Sequence, residues 1–231
     1  MLYTDLVIRA LIFDFDGVIL DTETPDYQTW QDVFQSHGVE LERSLWDGFI
    51  GGSSATFDAP RHLEELTGVR VDREAIRRQR RQRYLDLIDA SPVLPGVVDY
   101  ITEAKSLGLK LGLASSSTLD WVEGHLARRR LLGHFDSIRA RDHVDNVKPD
   151  PELYLASLEQ LEVGPDEALV IEDSANGVTA AKKAGLYCVL VPNPMTKDLP
   201  IHNADIRLRA LSDMPLSTLL EKILDPSAPL R

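Results

Sequence analysis

The chain is poor in features that mark several protein classes. Its 231 residues include a single cysteine, Cys188, so no intramolecular disulfide can staple the fold. That residue lies in the apolar run 187–191 and reads as a buried, reduced thiol. Basic residues are in deficit, with 25 Lys and Arg against 37 Asp and Glu, for a net charge of −12. A general nucleic-acid binder needs a basic face to neutralise phosphates, so no nucleic acid is expected as a partner. No apolar run approaches the roughly 18 uninterrupted residues of a membrane span, and no membrane partner is expected. The first residues are apolar but carry Asp5, Arg9, Asp14 and Asp16 and have no cationic start. No targeting segment is read there, and the expected location is cytoplasmic. Internal repeats and low-complexity stretches are absent as well.

What is present is ordinary globular composition, 43% hydrophobic and 27% charged, in a chain long enough for one domain carrying an insertion. Short, branched, nearly continuous apolar runs at 6–13, 109–114, 168–171 and 187–191, and a weaker one at 135–140, suit strands buried on both faces of a parallel sheet. Helical patterns separate them. Two begin at a proline (95–107 and 151–161), and those at 118–132 and 174–184 each stop at a glycine. Strands alternating with helices predict a doubly wound, Rossmann-like α/β parallel sheet. Residues 22–92 break the rhythm and read as amphipathic helices at 27–37, 56–66 and 72–88. The expected domains are therefore a core of 1–21 plus 93–231 and an inserted α-helical cap of 22–92. The tail beyond about residue 212 reads as one short helix followed by a frayed end.

Four segments carry chemistry, each read at a strand-to-loop junction, where ligands bind in open α/β sheets. Asp14-Phe15-Asp16-Gly17 places two carboxylates two residues apart, on one side of an extended chain, beside a glycine that permits close backbone approach. Adjacent carboxylates repel unless a cation or shared proton relieves them, and a hard cation such as Mg²⁺ suits them. A strand ending in a polar turn would read the same way. Ser115-Ser116-Ser117-Thr118 offers hydroxyls and N–H groups to an anion, or simple helix capping. Lys148, before Pro149 in an extended stretch, is either a fixed cation or a surface lysine. Glu172-Asp173-Ser174 could complete a hard-metal site, and the small residues after it suit a helix pressed against the sheet. Each segment is weak alone; four in order at strand ends are not.

These motifs, over about residues 8–194, resemble the haloacid dehalogenase superfamily of phosphohydrolases. The resemblance is to the branch with a helical cap after the first motif, and within it to β-phosphoglucomutase-like sugar-phosphate phosphatases. It implies Asp14 as the nucleophile and Asp16 as the acid that protonates the leaving alcohol and then activates water. Ser115 and the Ser116 N–H would hold phosphate oxygens, with Lys148 bridging phosphate and nucleophile. Mg²⁺ would be bound by Asp14, Asp173 and the Asp16 carbonyl, with Glu172 in or beside that set. The loop Ile50-Gly51-Gly52-Ser53-Ser54 looks like the substrate-facing cap loop, which makes Gly52 and Ser53 candidate specificity residues; an ordinary helix–helix turn is the alternative.

The mutase of this family has a histidine shortly after the first motif and an arginine in the cap loop. The matching stretches here, Thr22–Asp26 and Gly51–Ala55, contain neither, which favours hydrolysis. Dehalogenase relatives lack the counterpart of Asp16. The arginines at 73, 77, 78, 80, 81 and 83 read as a solvated cap face or an anion-recruiting rim, and the six histidines as structural or surface groups. The net charge does not forbid an anionic substrate, because distant carboxylates are screened beyond about 8–10 Å. The expected activity is a Mg²⁺-dependent phosphatase acting on a small phosphorylated metabolite, such as a sugar phosphate, as a monomer or weak homo-oligomer. A phosphosugar mutase and a receiver-like phospho-aspartate module are the alternatives.

Overall fold

The computed structural model describes residues 7–47, 50 and 57–224. Apolar four- and five-residue runs and two shorter edge strands pair into a parallel sheet of β1 (Ala10–Phe13), β2 (Lys110–Ala114), β3 (Ser137–Arg139), β4 (Ala168–Glu172), β5 (Tyr187–Leu190) and β6 (Ile206–Arg207). Their spatial order is β3-β2-β1-β4-β5-β6. β1 is thus central, flanked by β2 and β4, and the chain reverses its direction of travel across the sheet there. That reversal opens a crevice beyond the carboxyl ends of the strands. The register aligns Phe13 with both Leu113 and Ile171, so the next residues of all three strands emerge at one level.

Alternation along β1 divides the core. Leu11 and Phe13 join Val97, Tyr100 and Ile101 of α5 (Val97–Ser106), Val122 and Leu126 of α6 (Leu119–Arg128), and Leu216 and Leu219 of α9 (Leu216–Leu224). Ala10 and Ile12 face the other way, onto Leu153 and Tyr154 of α7 (Glu152–Leu161) and Val178 and Ala181 of α8 (Ala175–Lys183). The doubly wound α/β fold is as expected from the run-and-helix pattern. Cys188 is buried on the α7–α8 side, where burial pushes its thiol pKa up.

Between β1 and α5 come α1 (Glu23–Ser36), α2 (Arg43–Asp47), α3 (Ala59–Thr67) and α4 (Arg73–Ala90). They have a small apolar core of their own, including Tyr27, Phe34, Leu41, Trp46, Leu63 and Ile76. Asp58 and Asp72 cap α3 and α4 by accepting from first-turn N–H groups. Several contacts tie this layer to the sheet layer, two of them through backbone carbonyls. Met195 inserts into the cap cluster while its carbonyl accepts from Arg43 Nη2 at 2.9 Å. At the exit of α4, Arg129 Nη2 donates to the carbonyls of Ile88 (2.6 Å) and Ser91 (3.1 Å), satisfying groups that a helix end leaves unpaired.

Some boundaries differ from the sequence reading. β1 starts at Ala10 rather than residue 6, and α6 stops at Arg128, short of Gly133. Helix α2 and strand β6 carried no readable signal, being five and two residues long. Lys148 is not at a strand end but well past β3, in the loop that leads into α7. The reading of 225–231 as frayed lies outside the described residues.

Phe34 is fully buried at the centre of the cap cluster. We expect Phe34→Ala to cost about 3–5 kcal/mol, read as a lower urea midpoint. A loss below about 1 kcal/mol would mean that this cluster contributes little to folding.

Candidate active site

Parallel pairing delivers the chemistry. The Asp14 N–H donates to the Ile171 carbonyl (3.0 Å), and the Ser115 N–H donates to the Arg139 carbonyl (2.9 Å), which extends the ladders one residue past β1 and β2. Glu172 ends β4, and Asp173 follows it before Ser174 caps α8. Asp14, Glu172 and Asp173 come together buried, each offering a carboxylate oxygen within 4.8 Å of the others. Into this cluster comes Lys148, 5% exposed, its Nζ 2.5 Å from Asp14 Oδ1 and 2.7 Å from Glu172 Oε1.

Glu172 is saturated. Lys148 and the Tyr154 hydroxyl donate to its Oε1, and the Asp173 N–H and Ser174 hydroxyl donate to its Oε2. Gly177 makes room for that carboxylate, since a Cβ there would fall 1.9 Å from it. Asp173 Oδ2 accepts from Asn193 Nδ2 at 2.7 Å. Gly17, at φ +84°, lies against the same pair; a Cβ would sit 2.3 Å from Asp173 Oδ2.

The electrostatics are unbalanced. Burial, with Glu172 and Asp16 adding repulsion, outweighs Lys148 and pushes Asp14 up to about 8. Burial and the neighbouring acids raise Asp173 well above the usual carboxylate range. Desolvation disfavours the Lys148 ammonium, yet Asp14 and Glu172 prevail and hold its pKa above the ordinary lysine value. Among the described residues, no group donates to Asp14 Oδ2 or Asp173 Oδ1. Two carboxylate oxygens without donors on residues that line the cavity, in an all-oxygen set with excess negative charge, fit a hard divalent cation.

Asp16 stands apart from that trio. Its Oδ2 accepts from the Ser117 hydroxyl at 2.6 Å and the Ser115 hydroxyl at 3.2 Å, and its Oδ1 from Trp121 Nε1 at 3.1 Å. The Ser115 hydroxyl is thus buried beneath the loop and also accepts from the Ser117 N–H, while Ser116 and Ser117 line the open cavity.

That cavity is about 490 Å³. Its floor is Asp14, Asp16, Lys148 and Asp173, and its roof is aromatic: Trp30, Trp46, Phe57 and Tyr84. The arginine-rich α4 divides its side chains between two surroundings. Arg73 pairs with Asp58 and Glu64, and Arg78 with Glu74, on the outer face. Arg80 instead turns into the cavity, hydrogen-bonded to Asp26 and 4.5 Å over the Trp30 ring. Gly52 and Ser53, the candidate specificity residues, lie outside the described residues; their neighbour Ile50 lines the cavity.

Glu23, Tyr84, Trp121, Arg141 and Asn193, which line the cavity or bond its lining residues, carried no expectation in the sequence, and Arg80 was named only as one of the arginine cluster. Asn193 had a signal, since it follows β5, a fifth strand end. Trp121 lies in the first turn of α6, just after the serine loop. Glu23 is pushed up to about 8 by burial and by Asp26, Asp16, Asp21 and Asp14.

The chain matches the model of the haloacid dehalogenase-like hydrolases over residues 11–191. It is 45% identical over 217 residues to YhcW of Bacillus subtilis (strain 168), provisionally named a phosphatase, covering 94% of this chain and 98% of that one. It is 33% identical to the phosphorylated carbohydrates phosphatase of Thermotoga maritima, over 78% of this chain and 82% of the other. A crystal structure from Thermotoga maritima provisionally described as a β-phosphoglucomutase superposes with a TM-score of 0.76 at 30% identity, covering 93% and 99%. The chain belongs to the haloacid dehalogenase-like hydrolase family, among its phosphatase-type members. Its reaction class is phosphoric monoester hydrolysis. Among the described residues no helix is long and apolar enough to cross a membrane.

Asp14 and Glu23 each hold a proton more tightly in the folded chain than in the unfolded one. The stability this confers is complete below about pH 4 and is lost as pH rises through about 8. We expect metal-free protein to melt at progressively lower temperature between about pH 5 and pH 8. A divalent cation should raise the melting temperature more at the alkaline end, and Glu23→Gln should flatten part of the slope. A metal-free melting temperature that rises over this range would contradict the assignment.

Proposed function

We propose that the chain is a Mg²⁺-dependent phosphatase of a small phosphorylated metabolite, of the sugar-phosphate kind, working through an aspartyl phosphate on Asp14. The observation that carries this reading is the split between two acids of one motif. Asp14 sits in the buried cluster on Lys148, whereas Asp16 is turned away from it onto Ser115, Ser117 and Trp121. A nucleophile and a proton carrier need such separate environments.

Asp14 attacks phosphorus, forming the acyl-phosphate O–P bond as the P–O bond to the alcohol breaks. Asp16 gives its proton to the departing oxygen. In the second half, Asp16 takes a proton from water, which attacks phosphorus and releases phosphate and free Asp14. Lys148 holds Asp14 in place and presents positive charge to the equatorial oxygens, and the Ser116 N–H adds to the anion cradle, while the Ser115 and Ser117 hydroxyls spend their protons on Asp16 rather than on the phosphate. Mg²⁺ would be held by Asp14, Asp173 and the Asp16 carbonyl, with Glu172 in or beside the set, and would supply charge neutralisation that keeps Asp14 ionised at neutral pH.

Residues 22–92 would act as the lid over a core of 1–21 and 93–231, excluding bulk water during transfer to Asp14 and opening to release the alcohol and admit the water that cleaves the acyl phosphate. The aromatic roof suits the C–H faces of a sugar, and Glu23, Asp26 and Arg80 suit its hydroxyls. The phosphatase named for phosphorylated carbohydrates in Thermotoga maritima supports that substrate class. A mutase must grip a second phosphate. Arg80, the cap cation in the cavity, is already committed to Asp26 and Trp30, which favours hydrolysis. A receiver-like module would have no use for a roofed cavity.

The test is phosphate release from a panel of sugar phosphates with Mg²⁺ and with chelator. Asp14→Asn should abolish release. Asp16→Asn should lower it by about 10²–10⁴-fold, roughly 3–5 kcal/mol of barrier. Release from Asp16→Asn within threefold of the unaltered chain would remove Asp16 from its role. Release that survives in Asp14→Asn would remove the acyl phosphate.

A further inference from the structure

Trp121 belongs to the core helix α6, and Tyr84 to the cap helix α4. Their rings are stacked, 10° from parallel with centroids 5.8 Å apart, in the offset range that aromatic pairs favour. The indole also meets the His125 ring edge-on, with centroids 4.1 Å apart. His125 is buried, and burial together with Arg128 and Arg129 lowers its pKa, which favours a neutral ring. The indole is therefore clamped by ring contacts with a cap residue and a core residue, and its N–H points at Asp16 Oδ1.

The number of acceptor sites gives this contact its meaning. An ionised carboxylate offers about four lone-pair positions. Ser117 and Ser115 fill those of Asp16 Oδ2, and Trp121 takes one on Oδ1. One position on Oδ1 remains, on a carboxylate that borders the cavity, and it is the one place left for the proton that the acid form delivers. Three donors fix the carboxylate's rotation and leave a single open lone pair. Without the indole, Oδ1 has no protein donor among the described residues, and the carboxylate can pivot about the two serines.

We infer that Trp121 is a positioning residue for Asp16, and that Tyr84 makes this positioning depend on how the cap is seated. The inference rests on Asp16 being the proton carrier proposed above. A cap lifted away removes Tyr84 from the indole, loosens the indole, and with it the aim of the open lone pair. A seated cap restores the clamp. Proton delivery is thereby tied to closure, so that the alcohol is expelled only under the roof.

The test compares leaving groups. Trp121→Phe keeps a ring for Tyr84 and His125 but removes the donor. Its kcat/KM, which reports events up to departure of the alcohol, is measured on the sugar phosphate that the unaltered chain cleaves best and on 4-nitrophenyl phosphate, whose leaving group departs without a proton. A hydrogen bond to a charged group sets the expected scale at about ten- to a hundredfold. We expect a loss of that size on the sugar phosphate, in kcat rather than KM, and a loss within about threefold on the aryl ester. In an Asp16→Asn background, Trp121→Phe should change nothing further. Equal losses on both esters, or an undiminished loss in the Asp16→Asn background, would make Trp121 merely structural and overturn the inference. No loss on either ester would overturn it too. Should Trp121→Phe not fold, as judged by its melting curve, Tyr84→Leu carries the same comparison from the cap side and should show the same leaving-group selectivity. If Asp16→Asn alone leaves both esters unaffected, the proton-carrier assignment itself has failed and the inference falls with it.

Discussion

One buried ammonium organises this molecule. Lys148 is almost out of water, and a buried charge is tolerated only when paired and hydrogen-bonded. It is paired twice, to Asp14 and Glu172, and its Nζ also lies 4.9 Å from the Tyr154 ring. The partners come from β1 and β4, which are far apart in sequence and adjacent in the sheet. The sheet register, the saturation of Glu172, and the glycine at 177 that gives Glu172 room all serve to hold that one contact. Yet one cation cannot balance three buried acids. The protonation to which burial drives Asp14 and Asp173 is the chain's own answer in the absence of another positive charge, and it is incompatible with nucleophilic attack by Asp14. On the function proposed above, a bound divalent cation and a reactive Asp14 would therefore come together.

The second motif acid escapes this pressure because it faces a different neighbourhood. Two residues along from Asp14, Asp16 meets two hydroxyls and an indole instead of an ammonium and two carboxylates. Alternation along an extended chain would have brought both side chains to one side. The turn that begins at Gly17 sends the chain back on itself, with the Gly17 N–H donating to the Leu20 carbonyl at 2.6 Å, and Asp16 is delivered to the serine loop. The same turn leads into α1, so one local bend both separates the two acids and launches the cap.

How far the sequence could be read follows from how local each signal was. Strand and helix patterns inside the sheet layer depend on runs of apolar residues, and those were legible: β1, β2 and β5 each lie within an anticipated run, and β4 passes the end of its run by one residue, Glu172. Asp14, Asp16, Ser115, Lys148, Glu172 and Asp173 were legible as motifs because a strand end concentrates its chemistry in two or three successive residues. Lys148 was found for a partly wrong reason, since it reaches the site from a long loop rather than from the end of a strand. Element lengths were less legible, as α6 shows: the apolar pattern runs on to residue 132, but Arg130 adopts a positive φ and the helix has already ended.

The cap half of the site was illegible for a physical reason. Arg80 and Arg78 are two residues apart on one helix, in one arginine-rich stretch, and nothing local separates them. Only the packing of α4 against α1 turns Arg80 inward to Asp26 and Trp30 and leaves Arg78 on the outer face with Glu74. Tyr84 and Trp121 are likewise ordinary half-buried aromatics until two elements from different layers bring their rings together. Residues that act on the reacting group through the backbone they sit on leave a pattern in sequence. Residues that act through contact between layers leave none, because their meaning is fixed only when the layers meet. Substrate choice belongs to the second kind, and for that reason the family was readable from strand ends while selectivity resides where helix faces converge.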